Sequence, residues 1–411
     1  MLIWQYRLLL WLLAPLLLLH SWRHARREQE PGYVRARLGH GPGGVQGALW
    51  LHAASVGEVN AALPLLRALA SHRPNQALLL TTTTASGARI ARENLPAGVE
   101  HRFLPLDFPA AITRFLARHQ PTSALIMETE LWPNLYRACA RRGIPLLIIN
   151  ARLSARTLNR GPWLRALYRK TLAHTTAVLA RSENDAAGFR ALGARHVEVI
   201  GNIKFAAAPE AKALAPIPLG RPYVLAASTR AGEEALILAA WQTLRGQLAQ
   251  PPLLVIAPRH PQRREAILQA LHGEEVALRS RMEQPSQHTT VYLADTFGEL
   301  PALMNGAECV FVGGSLVAKG GQNLLEPAAL GKAVLFGPHM DNFRAEADTL
   351  LEAGGAIQVD DPNALAEALK TLLDAPQRAQ QLGQRARQAV DARRDMAERY
   401  IQAIRRWLEP N

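Results

Sequence analysis

Short apolar runs recur along the whole chain, and most are continuous rather than alternating. In the first half they lie at 48–53, 77–82, 101–106, 124–127, 146–150, 177–180 and 197–201. A continuous run suits a parallel strand whose sheet is covered by helices on both faces. Amphipathic stretches such as 59–71 and 110–118 stand between the runs and read as the covering helices. The rhythm pauses in an Ala- and Pro-rich stretch, 206–220, which reads as a linker. It resumes with runs at 223–227, 253–257, 291–294, 309–313, 333–336 and 356–359, then a charged helical tail from 362 to 408. The pattern predicts an α/β chain of two doubly wound, Rossmann-like parallel-sheet domains, 28–205 and 221–411. Such sheets bind ligands beyond the carboxyl ends of their strands, so a cleft shared by two such edges is expected.

The first 27 residues follow a different pattern. Residues 8–19 are unbroken apolar, which is short for a helix that must supply roughly 20 apolar residues to cross a bilayer. Residues 2–6 extend the run, but Arg7 interrupts it. Trp4, Tyr6, Trp11 and Trp22 suit a membrane interface, and Arg23, Arg26 and Arg27 follow at once. The segment lacks the pair of small residues that a signal-peptide cleavage site needs, so a retained membrane-anchor helix over 1–27 is expected. The positive flank favours keeping the following domains on the cytoplasmic side. The pattern leaves open whether the helix spans the membrane or lies in its surface.

Composition narrows the partners. The chain has 411 residues, long enough for two cores, with 48% hydrophobic and 20% charged residues and a formal net charge of +13. The positive excess suits anionic partners, whether a phosphorylated lipid, an acidic sugar or a membrane face. No nucleic-acid-binding signature is present, so nucleic acid is not expected as a partner. The two cysteines, Cys139 and Cys309, have no metal-ligand spacing, and the histidines are scattered, so no metal or other cofactor is expected.

The chemistry-bearing motifs fall where strands end. HAASVGE at 52–58 is a strand, a turn and a helix start. Ser55 and Glu58 have the spacing of a capping box, and Glu58 is also placed to accept a proton from an attacking hydroxyl. Gly57 would let an acceptor approach the backbone. Residues 81–86 cluster hydroxyls at a helix start, which suits phosphate or sugar oxygens as well as a simple cap. METELWPN at 127–134 sends Glu128 and Glu130 off a buried strand, more acid than one cap requires. GNIKF at 201–205 puts Lys204 at the domain junction, where a cation could meet a carboxylate or a leaving phosphate.

In the second half, residues 228–234 and 258–263 place Arg230, Arg259 and His260 at strand ends, beside Pro258, as anion contacts. DTFGEL at 295–300 offers Phe297 to stack on a base, with Gly298 permitting close approach, although Asp295 or Thr296 can simply cap a helix. GGSLVAKGGQNLLEPA at 313–328 is the most specific motif. Its glycine pairs before a helix start admit a phosphate, and Glu326 can accept from ribose hydroxyls or cap its own helix.

Six of these motifs in order resemble the 3-deoxy-D-manno-octulosonic acid (Kdo) transferases: HAASVGE, METELWPN, GNIKF, PRHPQR at 258–263, DTFGEL and GGSLVAKGGQNLLEPA. The resemblance covers nearly the whole chain, anchor included. It implies a GT-B glycosyltransferase fold whose last helices return to the first domain. It further implies inverting, metal-independent transfer of Kdo from CMP-Kdo to the tetraacyl lipid A precursor, at the cytoplasmic face of the inner membrane. Carried over by position, Glu58 is the proton acceptor, and Glu128 and Lys204 assist the transition state. Pro258, Arg259, Phe297, Gly298, Glu299, Asn323, Leu324, Leu325 and Glu326 hold CMP. The chain departs from the pattern at Ala318 and Gln322, where many members carry Pro and His. Two rival readings share these features: another GT-B sugar-nucleotide enzyme such as an epimerase, and a non-catalytic nucleotide-binding membrane protein.

Overall fold

The computed structural model describes residues 2–153, 157, 161–208 and 215–408. They form two compact units, Met1–Ala207 with Asp395–Asn411, and Ala208–Arg394. Of the expected linker, 209–214 lie outside the described residues.

The first unit is built on seven strands: β1 (Leu49–His52), β2 (Leu78–Thr82), β3 (Val99–Phe103), β4 (Ser123–Met127), β5 (Leu146–Ala151), β6 (Ala177–Ala180) and β7 (Val197–Val199). They pair in parallel in the order β3-β2-β1-β4-β5-β6-β7. Alternate side chains divide between the two faces. Trp50, Leu79, Ile126 and Ile148 enter one core, while Leu51, Leu80, Leu125 and Ile149 enter the other. Both faces are dry, which explains the unbroken apolar runs. The strand order reverses between β1 and β4, and β1 pairs with both β2 and β4. The chain thus leaves the sheet toward opposite sides at that one point, the usual place for a ligand in an open sheet.

The second unit repeats the plan with β8 (Tyr223–Thr229), β9 (Leu253–Pro258), β10 (Val276–Leu278), β11 (Val291–Leu293), β12 (Cys309–Val312), β13 (Ala333–Phe336) and β14 (Ala356–Gln358). Again all pairs are parallel, in the order β10-β11-β9-β8-β12-β13-β14. The reversal falls between β8 and β12. Cys139 and Cys309 are both free thiols buried in their cores.

Two details depart from the expected pattern. β3 begins at Val99 and ends at Phe103, earlier than the apolar run at 101–106, because it is an edge strand with only Phe103 fully buried. β10 is an additional edge strand of three residues that its charged flanks conceal. The tail is three helices, Pro362–Asp374, Pro376–Asp391 and Met396–Leu408. The last of these joins the first unit, where Tyr400, Ile401 and Ile404 pack with Val59, Leu66 and Ile203. The N-terminal segment is one helix, Leu2–Arg27, that continues through Pro15.

Candidate functional site

In the first unit the acidic motifs meet at the carboxyl edge around β1 and β4. Ser55 caps the Val56–His72 helix, its Oγ accepting from the Glu58 amide at 3.4 Å. The Glu58 carboxylate replies in kind. It accepts from the Ser55 hydroxyl at 2.9 Å and from the Ala54 amide at 2.8 Å. The capping box is therefore real, yet it does not quiet the carboxylate. Burial pushes its pKa up to about 7, and the neighbouring Glu128 charge adds to the rise, against the opposing Ala54 hydrogen bond. A half-protonated carboxylate near neutral pH is suited to general-base work. The space over Gly57 is open: a Cβ there would have only the Ser55 hydroxyl within reach, at 4.0 Å.

Glu128 stands just beyond β4 with a left-handed backbone, φ +55°. A non-glycine residue in that region is strained, and such strain clusters at working sites. Its Oε1 lies 3.8 Å from Lys204 Nζ. Glu130 behaves differently. Trp132 Nε1 donates to it at 2.9 Å and buried His52 stands 3.8 Å away. Burial works to raise its pKa, but His52, Trp132 and Arg37 outweigh that and hold it below the usual carboxylate range. Two nearby carboxylates are thus driven in opposite directions, which separates a base from a permanent anion.

Lys204 is carried by a short 3₁₀ turn, Ile203–Ala207, that packs on the Val56–His72 helix. Two asparagines fix the turn: Asn150 Oδ1 accepts from the Ile203 amide and Asn202 Oδ1 from the Lys204 amide, each at 3.1 Å. The last helix closes it from outside. Tyr400 donates to the Gly201 carbonyl at 2.8 Å, and a Cβ on Gly201 would fall 2.8 Å from Met396 Sδ. Gly201 also has φ +119°. Gly201→Ala is expected to lose about 1–3 kcal/mol in urea denaturation, because the lysine turn must shift to admit the methyl group.

The threonine cluster has a more local purpose. Thr84 caps the Ala85–Asn94 helix and Thr82 bonds His101, while the buried Thr83 hydroxyl has no partner among the described residues.

In the second unit the candidate binding residues lie at the carboxyl edge of β8, β9, β11 and β12. Just before the short Leu325–Ala329 helix, Asn323 Oδ1 accepts from the Leu325 amide at 3.1 Å, and its Nδ2 donates to Glu326 at 3.0 Å. Burial raises the Glu326 pKa; the Asn323 bond and the charge of Arg259 oppose it. Arg259, Asn323 and Glu326 are therefore neighbours. Leu324 and Leu325 are buried, so they act through packing and backbone. Pro258 ends β9, and the Arg259 amide donates to the Thr229 carbonyl at 3.0 Å, leaving its side chain exposed. Arg230 lies 2.6 Å from His260 Nε2. Burial lowers the His260 pKa, and Arg230, Arg259 and Arg263 lower it further, which marks this rim as strongly positive. Phe297 is 65% exposed, and nothing crowds the left-handed Gly298 beside it. The Glu299 carboxylate is already committed, to Arg279 Nε at 3.0 Å and to the Thr296 hydroxyl.

One expectation is corrected. The amides of the first glycine pair do not face an open phosphate site. Buried Glu233 fills their nest, accepting from the amides of Gly314 at 2.6 Å, Ser315 at 3.0 Å, Leu316 at 3.0 Å and Arg230 at 3.1 Å. The second pair is also explained by packing, since a Cβ on Gly320 or Gly321 would collide with Asn342 or Met340. Glu233 is the functional-loop residue that sequence reasoning missed. The available signal was a pair of glutamates opening a helix directly after a strand. Among the described residues, no three His, Cys, Asp or Glu side chains group to hold a metal ion.

Two α/β units, each on a seven-stranded parallel sheet, give the chain a GT-B-like fold. The fold superposes on a glycosyltransferase from Rickettsia africae, at a TM-score of 0.65 and 11% identity over 89% of this chain and 100% of that one. It also superposes on a UDP-GlcNAc 2-epimerase from Neisseria meningitidis, at 0.57 and 16% identity over 86% and 100%. The fold alone thus does not choose between transfer and epimerisation. Sequence does. Residues 32–207 match the family of 3-deoxy-D-manno-octulosonic-acid transferases, and 263–405 match a glycosyl transferase-like family. A 3-deoxy-D-manno-octulosonic acid transferase of Bordetella pertussis is 37% identical over 98% of this chain and 99% of its own. The chain belongs to the 3-deoxy-D-manno-octulosonic acid transferase family and is a glycosyltransferase.

Proposed function

We propose that the chain transfers Kdo from CMP-Kdo to the lipid A precursor lipid IVA in lipopolysaccharide biosynthesis, by an inverting, metal-independent displacement at the cytoplasmic face of the inner membrane. The observation that carries the mechanism is Glu58, a carboxylate raised to about 7 at the switch point of its sheet. In its ionised form it accepts the proton of an acceptor sugar hydroxyl. The hydroxyl oxygen forms a bond to the anomeric carbon of Kdo as the bond to the CMP phosphate oxygen breaks on the opposite face. CMP leaves with the electron pair, and the configuration inverts.

Glu128 and Lys204 form a charge pair beside the base, and we assign them to stabilising charge in the transition state. The cationic rim of Arg259 and Arg230 neutralises the departing phosphate, while exposed Phe297 stacks on the base and Glu326, with Asn323, takes ribose hydroxyls. Pro258, Gly298, Leu324 and Leu325 shape that pocket through backbone and packing. Glu299 serves it by fixing the loop rather than by offering its carboxylate.

Incubating the purified chain with CMP-Kdo and lipid IVA, and weighing the product by mass spectrometry, tests the reading. A mass gain of whole Kdo residues with release of CMP is expected, and an unchanged acceptor would sink the assignment. Arg259→Ala is expected to raise KM for CMP-Kdo about 10–100-fold with a smaller effect on kcat, as fits a lost charged hydrogen bond. Steady-state kinetics at saturating acceptor checks this.

A further inference from the structure

The N-terminal helix is fastened along its length to the first unit. Trp163 Nε1 donates to Gln5 at 3.0 Å, Tyr6 donates to buried Asp107 at 2.9 Å, and Arg7 donates to Asn134 at 2.8 Å. Further along, Leu10, Ala14 and Leu17 pack with Leu106, Phe108 and Ala111, and the His24 ring lies tilted against Tyr33 with centroids 5.3 Å apart. A helix surrounded by lipid cannot keep these contacts. The opposite face is bare and apolar: Trp4, Leu8, Trp11, Leu12, Leu16 and Leu19 are exposed, Leu12 by 69%. Their spacing puts them on one stripe.

Beside the start of this helix lies a cavity of about 370 Å³ lined by Arg7, Arg137, Arg141 and Arg142 with Thr113 and Asn134, and no acidic residue lines it. Arg137, Arg141 and Arg142 make no ion pair among the described residues. A smaller adjoining cavity adds Lys170 and His174 to Arg137. Burial lowers the His174 pKa, and the charges of Arg137 and Arg141 lower it further, so the positive potential is felt by a neighbour. A second arginine-lined cavity contrasts with it, because there Arg92 pairs with Glu30 and Arg102 with Glu100.

We propose that the helix lies in the plane of a bilayer surface, and that the Arg7/Arg137/Arg141/Arg142 cavity receives the phosphate of an anionic phospholipid headgroup in that leaflet. Apolar area and headgroup charge then act together, the usual requirement for stable monotopic attachment. The proposal rests on the lipid acceptor read above, but it concerns attachment rather than transfer.

Vesicle flotation of the full chain tests it, comparing phosphatidylcholine alone with vesicles holding roughly one third phosphatidylglycerol. The triple variant Arg137→Gln, Arg141→Gln, Arg142→Gln is expected to lose about a hundredfold in affinity for the anionic vesicles and nothing for the neutral ones. The corresponding triple lysine variant should retain binding. A control removing exposed Arg378, Arg385 and Arg387 should have little effect, and an equal loss there would reduce the cavity to bulk charge and overturn the proposal. Inorganic phosphate should compete no better than chloride at equal ionic strength; selective competition would make this a free-phosphate site instead. Transfer to detergent-dispersed acceptor should be unchanged in the glutamine variant. If transfer is lost while anionic binding stays, the cavity serves the acceptor and the proposal fails, with the transferase reading intact. Nitroxide labels on Leu8→Cys, Leu12→Cys and Leu16→Cys should report one shallow depth, about 5–10 Å below the headgroups. Depths graded across the bilayer would mean a spanning helix and overturn the in-plane placement.

Discussion

Glu58→Gln is expected to slow sugar transfer by about 10²–10⁴ while leaving the protein folded. The amide oxygen can keep the Ala54 bond while the amide NH2 donates to the Ser55 hydroxyl, which accepts as readily as it donates, so the helix start is kept. It cannot take a proton, and a positioned base is worth about 10²–10⁴ in rate. In the parent protein, kcat/KM should climb as pH rises through about 7 and then level, because only the ionised carboxylate works. The variant should lose that limb. Stability should move the other way. The folded pKa of about 7 exceeds the ordinary 4.5, so the folded chain holds this proton more tightly than the unfolded chain. Its contribution is fully present below pH 4.5 and is lost as pH rises through 7. At pH 8 the variant is therefore expected to be more stable than the parent by up to about 3 kcal/mol, and equal to it near pH 4. Urea denaturation at the two values reads this directly. Turnover at the parental rate would remove Glu58 as the base.

Glu233→Gln carries the second large effect, and it falls on folding. Glu233 is fully buried and receives four backbone amides from two separate loops. Each is a hydrogen bond to a charged acceptor, stronger than a neutral one. The substituted amide has a single oxygen and turns its own N–H groups toward amides that also donate. At least two donors are then stranded in the interior, at about 1–3 kcal/mol each. A loss of about 3–5 kcal/mol is expected in chemical denaturation. Binding of CMP, followed by calorimetry, should weaken at least tenfold because the β12 turn that Glu233 ties to β8 loses its shape. A variant with parental stability and affinity would show that the nest needs no carboxylate.

These two residues also mark how far the sequence could be read. Central strands such as β1, β4 and β12 announce themselves as dry apolar runs, because burial on both faces forbids polar interruptions. Edge strands hide. β3 reads Val-Glu-His-Arg-Phe and β10 has charged neighbours, since one side of each meets solvent. The strand-end acids and basic residues were legible as candidates because a turn after a buried strand has few reasons to carry them. Their states were not. Whether Glu58 sits near 7 and Glu130 below the usual carboxylate range depends on Glu128 and His52, each arriving from the neighbouring strand, and no local pattern encodes that. The glycine-rich loop misled for a related reason. Its partner, Glu233, lies 81 residues before Gly314, and only the sheet order brings β8 beside β12.

The clasp of Tyr400 on Gly201 joins positions 199 residues apart, with the whole second unit coded between them. Translation is vectorial, so a ribosome releases the lysine turn long before its outer brace exists. The first unit therefore waits, unfinished, while its successor is made. A chain cut short before Met396 would carry Glu58, Glu128 and Lys204 without the helix that braces the lysine turn.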